Sequence, residues 1–314
     1  NNTIKLKGIL DMYDILIIGA GTAGLTAAIY AKRAGLSCAV FESAAPGGQI
    51  VSSPEVENYP GMPGMAGADY AMAIFQQAQN LGTEFIFSEV TGLSAFGTTK
   101  TVSTAKGDYQ GRAVIIANGA QRRKLEVPGE REFTGHGVSY CATCDGNFFR
   151  GKDVAIVGAG NTAFEDAAYL AGVCRTVYLI SRKSTFRASE ILVNALQKKE
   201  NAKILINQKP LEIRGDKMVN TLVLADVQSG ETTELPVSAV FVAVGMEPKN
   251  GIFRSLKLDE FGYIISGEDC KTNLAGVFAA GDTRTKRLRQ LVTAASDGAI
   301  AATAAAQYLG EIQE

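Results

Sequence analysis

A short apolar strand that runs into a glycine turn and then a helix occurs twice in this chain, and nothing else limits its possible folds so tightly. The first copy is Asp14 to Ile18, then Gly19-Ala-Gly21-Thr22-Ala23-Gly24, then a helix predicted from Leu25 to Arg33 and ending near Gly35. In this pattern Gly19 permits the tight turn, Gly21 lets the backbone approach a pyrophosphate, and Gly24 permits close helix–strand packing. The pyrophosphate then lies on the helix N-terminus, where unbonded N–H groups and the helix dipole favour an anion. A second strand, Ser37 to Phe41, ends in Glu42, the acid that would take a ribose hydroxyl pair. A lone glycine pattern is weak evidence. Strand, glycines, helix and terminal acid together point to a dinucleotide site.

The second copy begins with a strand over Asp153 to Val157, continues through Gly158-Ala-Gly160-Asn161-Thr162-Ala163, and reads as a helix to about Ala171. Ala163 replaces the third glycine, which the fingerprint tolerates. Strand Thr176 to Ile180 follows, and the two copies differ at the ribose position. Gly19 to Glu42 spans 23 positions; the same span from Gly158 reaches Ser181, followed by Arg182, Lys183 and then Arg187. A carboxylate would repel a 2′-phosphate, whereas guanidinium and ammonium groups pair with it. The second site is therefore expected to prefer NADPH to NADH. A solvated basic loop is the competing reading of the same residues.

With 314 residues, 46% of them hydrophobic, the chain has material for two domains with substantial cores. A net charge of -1 gives no reason to expect nucleic acid or a polybasic membrane anchor. The run Ile15 to Ile18 is strand-length, and alanine-rich Ala299 to Ala306 is far short of a membrane span. The opening NNTIKLKGILD lacks the continuous apolar core of a secretory signal. Met12 directly precedes a strand, so residues 1–11 read as an upstream extension or a cloning remnant. Ala299 to Leu309 is predicted as an amphipathic helix packed on the first nucleotide domain. Tyr30 and Phe75 fall on helical faces and are expected in the core.

Five cysteines are too few for a disulfide scaffold. Cys38, Cys174 and Cys270 are isolated; only Cys141 and Cys144 form a CxxC pair. In a large α/β chain such a pair is usually redox-active, which fits a reducing cytoplasm. Zinc competes for any CxxC, but a tetrahedral site wants four ligands, and the chain offers one histidine, His136, and no second CxxC. No metal is expected. At a helix start, the dipole would lower one thiol's pKa, and two thiols at this spacing can open and close a small ring. Asp145, next to the pair, could move protons during exchange; a helix-capping role is its bland alternative. His136 reads as an ordinary loop histidine.

A third segment, Val277-Phe-Ala-Ala-Gly281-Asp282, is a short apolar strand ending in Gly-Asp. It resembles the late FAD-binding motif of flavoproteins with two dinucleotide domains, which implies FAD in the first site. The order of segments then predicts two Rossmann-like α/β domains, the NADPH domain inserted into the FAD domain. Residues 1–121 and 252–314 would form the FAD domain and residues 122–251 the NADPH domain with its CxxC. Val127-Pro128-Gly129 and Glu247-Pro248-Lys249 are the predicted crossings, since proline and glycine punctuate chains where elements end. Paired crossings would make a hinge.

From Met12 onward the chain resembles the low-molecular-weight, bacterial-type thioredoxin reductase family, in class II of the pyridine nucleotide-disulfide oxidoreductases. The resemblance is carried by Gly19 to Gly24, Gly47-Gly48-Gln49, Glu57-Asn58-Tyr-Pro-Gly61 and Cys141-Ala-Thr-Cys144-Asp145-Gly146. It continues through Gly158 to Ala163, Arg182 to Arg187, Gly281-Asp282 and Arg289-Gln290. It implies an NADPH-dependent, FAD-containing thioredoxin-disulfide reductase. Electrons would pass from NADPH by way of FAD to the Cys141–Cys144 disulfide and on to oxidised thioredoxin. Cys144 would face the flavin, Cys141 would attack the partner's disulfide, and Asp145 would serve as general acid/base. Gly48, Gln49, Asn58, Val90, Gly119, Arg289, Gln290 and Leu291 would join the FAD site, and Gly245 the NADPH site. Domain rotation, a homodimer and a cytoplasmic location come with the family.

This sequence departs from the family pattern in two places. The usual Ala-Thr-Gly reads Ala117-Asn118-Gly119, and the basic cluster reads Ser181-Arg182-Lys183 in place of His-Arg-Arg. Lysine binds phosphate as a point charge, without arginine's fork, which weakens the expected discrimination without reversing it. Related readings keep the chemistry but take ferredoxin as donor, or a small-molecule dithiol as acceptor; the intact second fingerprint speaks against ferredoxin. A non-enzymatic FAD-binding redox sensor is the remaining alternative.

Overall fold

The computed structural model describes residues 12–53, 55–62 and 64–312; the segment 1–11 read above as an extension lies outside the described residues. The described residues fall into two compact units, those within 1–121 together with 247–314, and those within 122–246.

The first unit opens on β1 (Tyr13–Ile18), α1 (Thr22–Arg33) and β2 (Cys38–Glu42), with the strands parallel and Ile18 opposite Phe41. Ile15, Leu16 and Ile17 are fully buried, because a parallel strand covered on both faces must be apolar throughout. Next come α2 (Gly67–Asn80), β3 (Glu84–Phe87), β4 (Val90–Ser94), β5 (Lys100–Thr104) and β6 (Gly107–Ile116). β6 is long because it serves two partners: its start pairs antiparallel with β5, and its end pairs parallel with β1. The two-residue β7 (Gln121–Arg122) leads out of the unit.

The second unit comprises β8 (Val138–Ser139), α3 (Ala142–Asp145), β9 (Asp153–Val157), α4 (Asn161–Leu170), β10 (Thr176–Ile180) and α5 (Glu190–Gln197). It continues with β11 (Ala202–Leu205), β12 (Gln208–Gly215), β13 (Val219–Asp226), β14 (Thr232–Pro236) and β15 (Ala239–Val242). Its parallel sheet has the order β11-β10-β9-β15-β8, and β12-β13-β14 form a separate antiparallel sheet. Through β16 (Met246–Glu247) the chain returns to the first unit. There β17 (Val277–Ala279) pairs parallel with β6, Ala279 opposite Ile116, before α6 (Leu291–Glu311) closes the chain. The first unit's main sheet therefore runs β3-β2-β1-β6-β5-β4, with β17 also on β6.

These are the two Rossmann-like units that the repeated fingerprint predicts, one inserted in the other. The return falls at 246–247, where the pattern predicts 251–252. Val127-Pro128-Gly129 is not a crossing: it lies inside the second unit. Ile213 N–H donates to Pro128 O there at 2.9 Å, and a Cβ on Gly129 would stand 1.9 Å from Ile213 O. Proline and glycine mark a tightly packed turn in this case.

α1 is buried from Thr22 to Ile29, whereas Tyr30, in its last turn, is 48% exposed, against its expected place in the core. Phe75 does pack at the core edge, its ring edge-on to Phe85 at 4.7 Å. α6 starts eight residues earlier than the predicted Ala299 and packs closely on α1, where a Cβ on Gly298 would stand 2.2 Å from Ala23 O. Among the described residues no helix is long and apolar enough to cross a membrane.

Candidate active site

In the first unit the turn between β1 and α1 forms a glycine-walled cradle. A Cβ on Gly24 would stand 1.9 Å from Gly19 O, so no larger residue lets α1 start this close to the strand. Gly21 is the N-cap of α1, with no side chain capping the first turn. A Cβ there would meet only Gly48 Cα, at 4.0 Å. Gly47 N–H donates to Ala20 O, drawing the Gly47-Gly48-Gln49 segment against the turn. Glu42 stands beside it, accepting from Ala20 N–H and Ala44 N–H, both at 2.9 Å. Uncapped N–H groups, open space walled by glycine and an adjacent carboxylate suit the pyrophosphate and ribose of a dinucleotide.

Residues far apart in sequence come together in this unit. A Cβ on Gly281 would stand 2.9 Å from Ala23 Cβ, so the turn carrying Asp282 sits on the first turn of α1. Asn58 Nδ2 donates to Gln290 Oε1 at 3.0 Å, and Gln49 Nε2 donates to Ala120 O, next to Gly119. The Arg289 guanidinium stacks 4.0 Å from the centre of the Tyr263 ring. Leu291 begins α6, and Val90 begins β4, packed in the cluster that holds Phe41.

Several residues around this loop belong to no motif. Asp297, 3% exposed, accepts a two-pronged bond from Arg284 Nε and Nη2 at 2.8 Å, and further bonds from Lys286 Nζ and Gly281 N–H, both at 2.8 Å. Burial alone would raise its carboxyl pKa, but the bonds from Arg284 and Lys286 outweigh burial and hold it below the ordinary value. Asn250, 1% exposed, accepts from Asn118 Nδ2 and Thr283 Oγ1 and donates to Thr283 O. The unusual Asn118 is thereby tied to the segment following Asp282.

The second unit repeats the cradle. Gly160 is the N-cap of α4, again without a side-chain cap, and a Cβ on it would meet nothing within 4 Å. A Cβ on Gly158 would collide with Ala243 O at 2.4 Å and with Ala163 Cβ at 2.7 Å, which is why position 158 is glycine and position 163 small. The basic segment folds back onto this helix start. Arg187 N–H donates to Ala159 O and Ser189 N–H to Asn161 Oδ1, both at 2.9 Å, while Phe186 packs edge-on against Phe164 at 5.0 Å. Ser181 is buried and turns the chain through its hydroxyl bond to Lys183 O, leaving Arg182, Lys183 and Arg187 exposed. Gly245 takes the left-handed φ of +108° and accepts from Arg123 N–H.

Cys141 and Cys144 are joined as a disulfide, with Cα atoms 5.3 Å apart. The sequence pattern puts the pair at a helix start, and Cys141 is indeed the N-cap of α3. That helix is a single turn, too short to supply the macrodipole argument for a depressed thiol pKa. Asp145 Oδ2 accepts a 2.6 Å hydrogen bond from Ser139 Oγ, and the same hydroxyl accepts Cys141 N–H at 3.1 Å. Ser139 is 5% exposed and was not marked by any spacing rule. His136 is an exposed loop residue engaged through its backbone, N–H to Phe133 O and C=O to Val219 N–H. Among the described residues no three His, Cys, Asp or Glu side chains gather as a metal site would need.

The chain matches the family model "Pyridine nucleotide-disulphide oxidoreductase" over residues 13–298. A thioredoxin reductase of Listeria innocua is 42% identical over 305 residues, covering 96% of either chain. One from Treponema pallidum is 42% identical over 302 residues, covering 96% of this chain and 98% of its own. Among solved structures, the thioredoxin reductase of Streptococcus pyogenes superimposes with a TM-score of 0.91 at 40% identity, covering 96% of this chain and 99% of that one.

Proposed function

Because the chain belongs to the pyridine nucleotide-disulphide oxidoreductases and, within them, to the thioredoxin reductases, we propose that it carries FAD on its first cradle, takes electrons from NADPH on its second, and reduces oxidised thioredoxin. The observation that carries this reading is a Cys141–Cys144 disulfide in the same unit as a dinucleotide cradle flanked by Arg182 and Lys183. Gly19 to Gly24, Glu42, Gly48, Gln49, Asn58, Asp282, Arg289 and Gln290 would hold FAD. Gly158 to Ala163, Arg182, Lys183 and Arg187 would hold NADPH. When bound, the flavin supplies two-electron transfer between nicotinamide and disulfide.

The exchange itself belongs to this chain's own atoms. In the reduced pair, the Cys141 thiolate attacks one sulfur of the thioredoxin disulfide. A mixed disulfide forms, and the leaving thiolate takes a proton from the Asp145 carboxyl. The Asp145 carboxylate then takes the proton of the Cys144 thiol as Cys144 Sγ attacks Cys141 Sγ, re-forming the Cys141–Cys144 bond, and passes that proton to the second thioredoxin sulfur, which leaves as a thiol. Two electrons leave the dithiol and two thiols appear on the partner, so the step balances. The same family membership is the ground for a homodimer in a reducing cytoplasm.

Purified protein is expected to be yellow and to bleach on anaerobic addition of NADPH. Turnover compared side by side with NADPH, NADH and reduced ferredoxin tests the donor, and failure of NADPH to bleach the flavin defeats the proposal. Replacing Arg182 and Lys183 together by alanine is expected to lower the kcat/KM preference for NADPH over NADH roughly 10- to 100-fold, the loss of charged contacts to one phosphate. An unchanged preference would return these residues to the role of a solvated loop.

A further inference from the structure

We infer that Ser139 is a positioning residue for thiol–disulfide exchange, one hydroxyl that holds both the Cys141 backbone and the Asp145 carboxylate. The inference rests on the reading of Asp145 as the proton donor and deepens it.

Ser139 Oγ lies 2.6 Å from Asp145 Oδ2 and 3.3 Å from Cys141 O, and it accepts Cys141 N–H at 3.1 Å. A serine hydroxyl has one proton to donate. The short contact to a carboxylate is charge-assisted and takes it, leaving the oxygen lone pairs for Cys141 N–H. One oxygen thus bridges residues 141 and 145, the first and last positions of the redox turn. A direct backbone bond, Asp145 N–H to Cys141 O at 3.1 Å, runs alongside it.

The bridge is anchored outside the part that changes during the reaction. Opening the disulfide releases the covalent ring that closes the turn, and a one-turn helix has little stability of its own. Ser139 belongs instead to β8, where it pairs with Phe241 of the fully buried β15. It is 5% exposed, so water competes poorly for its bonds. Sheet pairing sets the position of the hydroxyl, and the hydroxyl keeps the Asp145 carboxyl group turned towards the Cys141 backbone in both the disulfide and the dithiol state.

The test is a double-mutant cycle on holoenzyme with saturating NADPH and varied oxidised thioredoxin, comparing Ser139→Ala, Asp145→Ala and the double variant, with Ser139→Thr as the conservative change. Loss of one charge-assisted bond is expected to lower kcat about tenfold in Ser139→Ala, with KM for thioredoxin unchanged. Ser139→Thr is expected to restore most of that loss, and Ser139→Ala to cost nothing further once Asp145 is alanine. Should the alanine variant not fold, Ser139→Val, the isostere of the threonine variant, carries the same comparison. Wild-type kcat in Ser139→Ala, or an equal tenfold loss in both backgrounds, overturns the inference while the role of Asp145 stands. Full kcat in Asp145→Ala instead defeats the reading of Asp145 on which the inference rests.

Discussion

Cys144→Ser is expected to abolish NADPH-driven thioredoxin reduction, by roughly a thousandfold or more, while leaving FAD binding and its bleaching by NADPH intact. Serine cannot form a disulfide, so the two-electron relay loses its store. The variant retains Cys141, whose thiolate can still attack oxidised thioredoxin but has no neighbouring thiol to resolve the product. A covalent Cys141–thioredoxin adduct should therefore accumulate on a non-reducing gel with Cys144→Ser and not with Cys141→Ser. Steady turnover by Cys144→Ser would contradict the mechanism outright. Accumulation of the adduct in Cys141→Ser alone would exchange the roles of the two cysteines.

Asp297→Ala carries the second large effect, and it acts on stability. The side chains of Arg284 and Lys286 are 2% and 5% exposed, and both donate to the Asp297 carboxylate. The remaining acid near Arg284, Glu268, is exposed and stands 3.6 Å away. Removing Asp297 strands two buried cations, for which the cost is about 3–5 kcal/mol. It also frees Gly281 N–H and loosens the turn that carries Asp282. Lower thermal stability and FAD released on dilution are expected together; denaturation curves and a flavin fluorescence assay measure them. The pH dependence has a definite sign. A carboxyl held below its ordinary value contributes stability in full above the unfolded value, about pH 4, and loses it as the pH falls through the folded value. The gap between wild type and Asp297→Asn should therefore be constant near neutrality and shrink on acidification below about pH 4. A gap that widened on acidification would assign the cluster a different electrostatic role.

Local constraints were legible in the sequence, and distant ones were not. Unlike the clashes of Gly19 with Ala117 O and of Gly158 with Ala243 O, those of a Cβ on Gly24 with Gly19 O and of one on Gly158 with Ala163 Cβ involve residues only five apart, so that part of the fingerprint shows in one short window. The same holds for strands such as β9, whose apolar run is continuous. Asn250 is different: its partners Asn118 and Thr283 lie 132 and 33 residues away, and no spacing rule connects them. Asp297 is hidden inside an alanine-rich helix and shows its purpose only when the Gly281 turn folds over it. Ser139 stands two residues before Cys141, yet its bond to Asp145 depends on β8 pairing with β15, which sequence proximity does not reveal. Tyr30 misled because α1 is buried on every side up to Ile29 and emerges only in its last turn, an end that periodicity cannot locate. Pro128 and Gly129 misled because a packed turn uses the same residue types as a crossing between domains.

Thiol counting tests the central claim most directly. The other three cysteines, Cys38, Cys174 and Cys270, are buried; burial pushes the first two thiols up to about 11 and the third to about 12, so alkylation of the native protein should spare them. Anaerobic protein treated with excess NADPH, alkylated in the native state and mapped by mass spectrometry, is predicted to gain label at Cys141 and Cys144 together, and to lose it when oxidised thioredoxin is added first. Bleaching of the flavin with no label at either position would show that electrons from NADPH do not reach this disulfide, and would contradict the account.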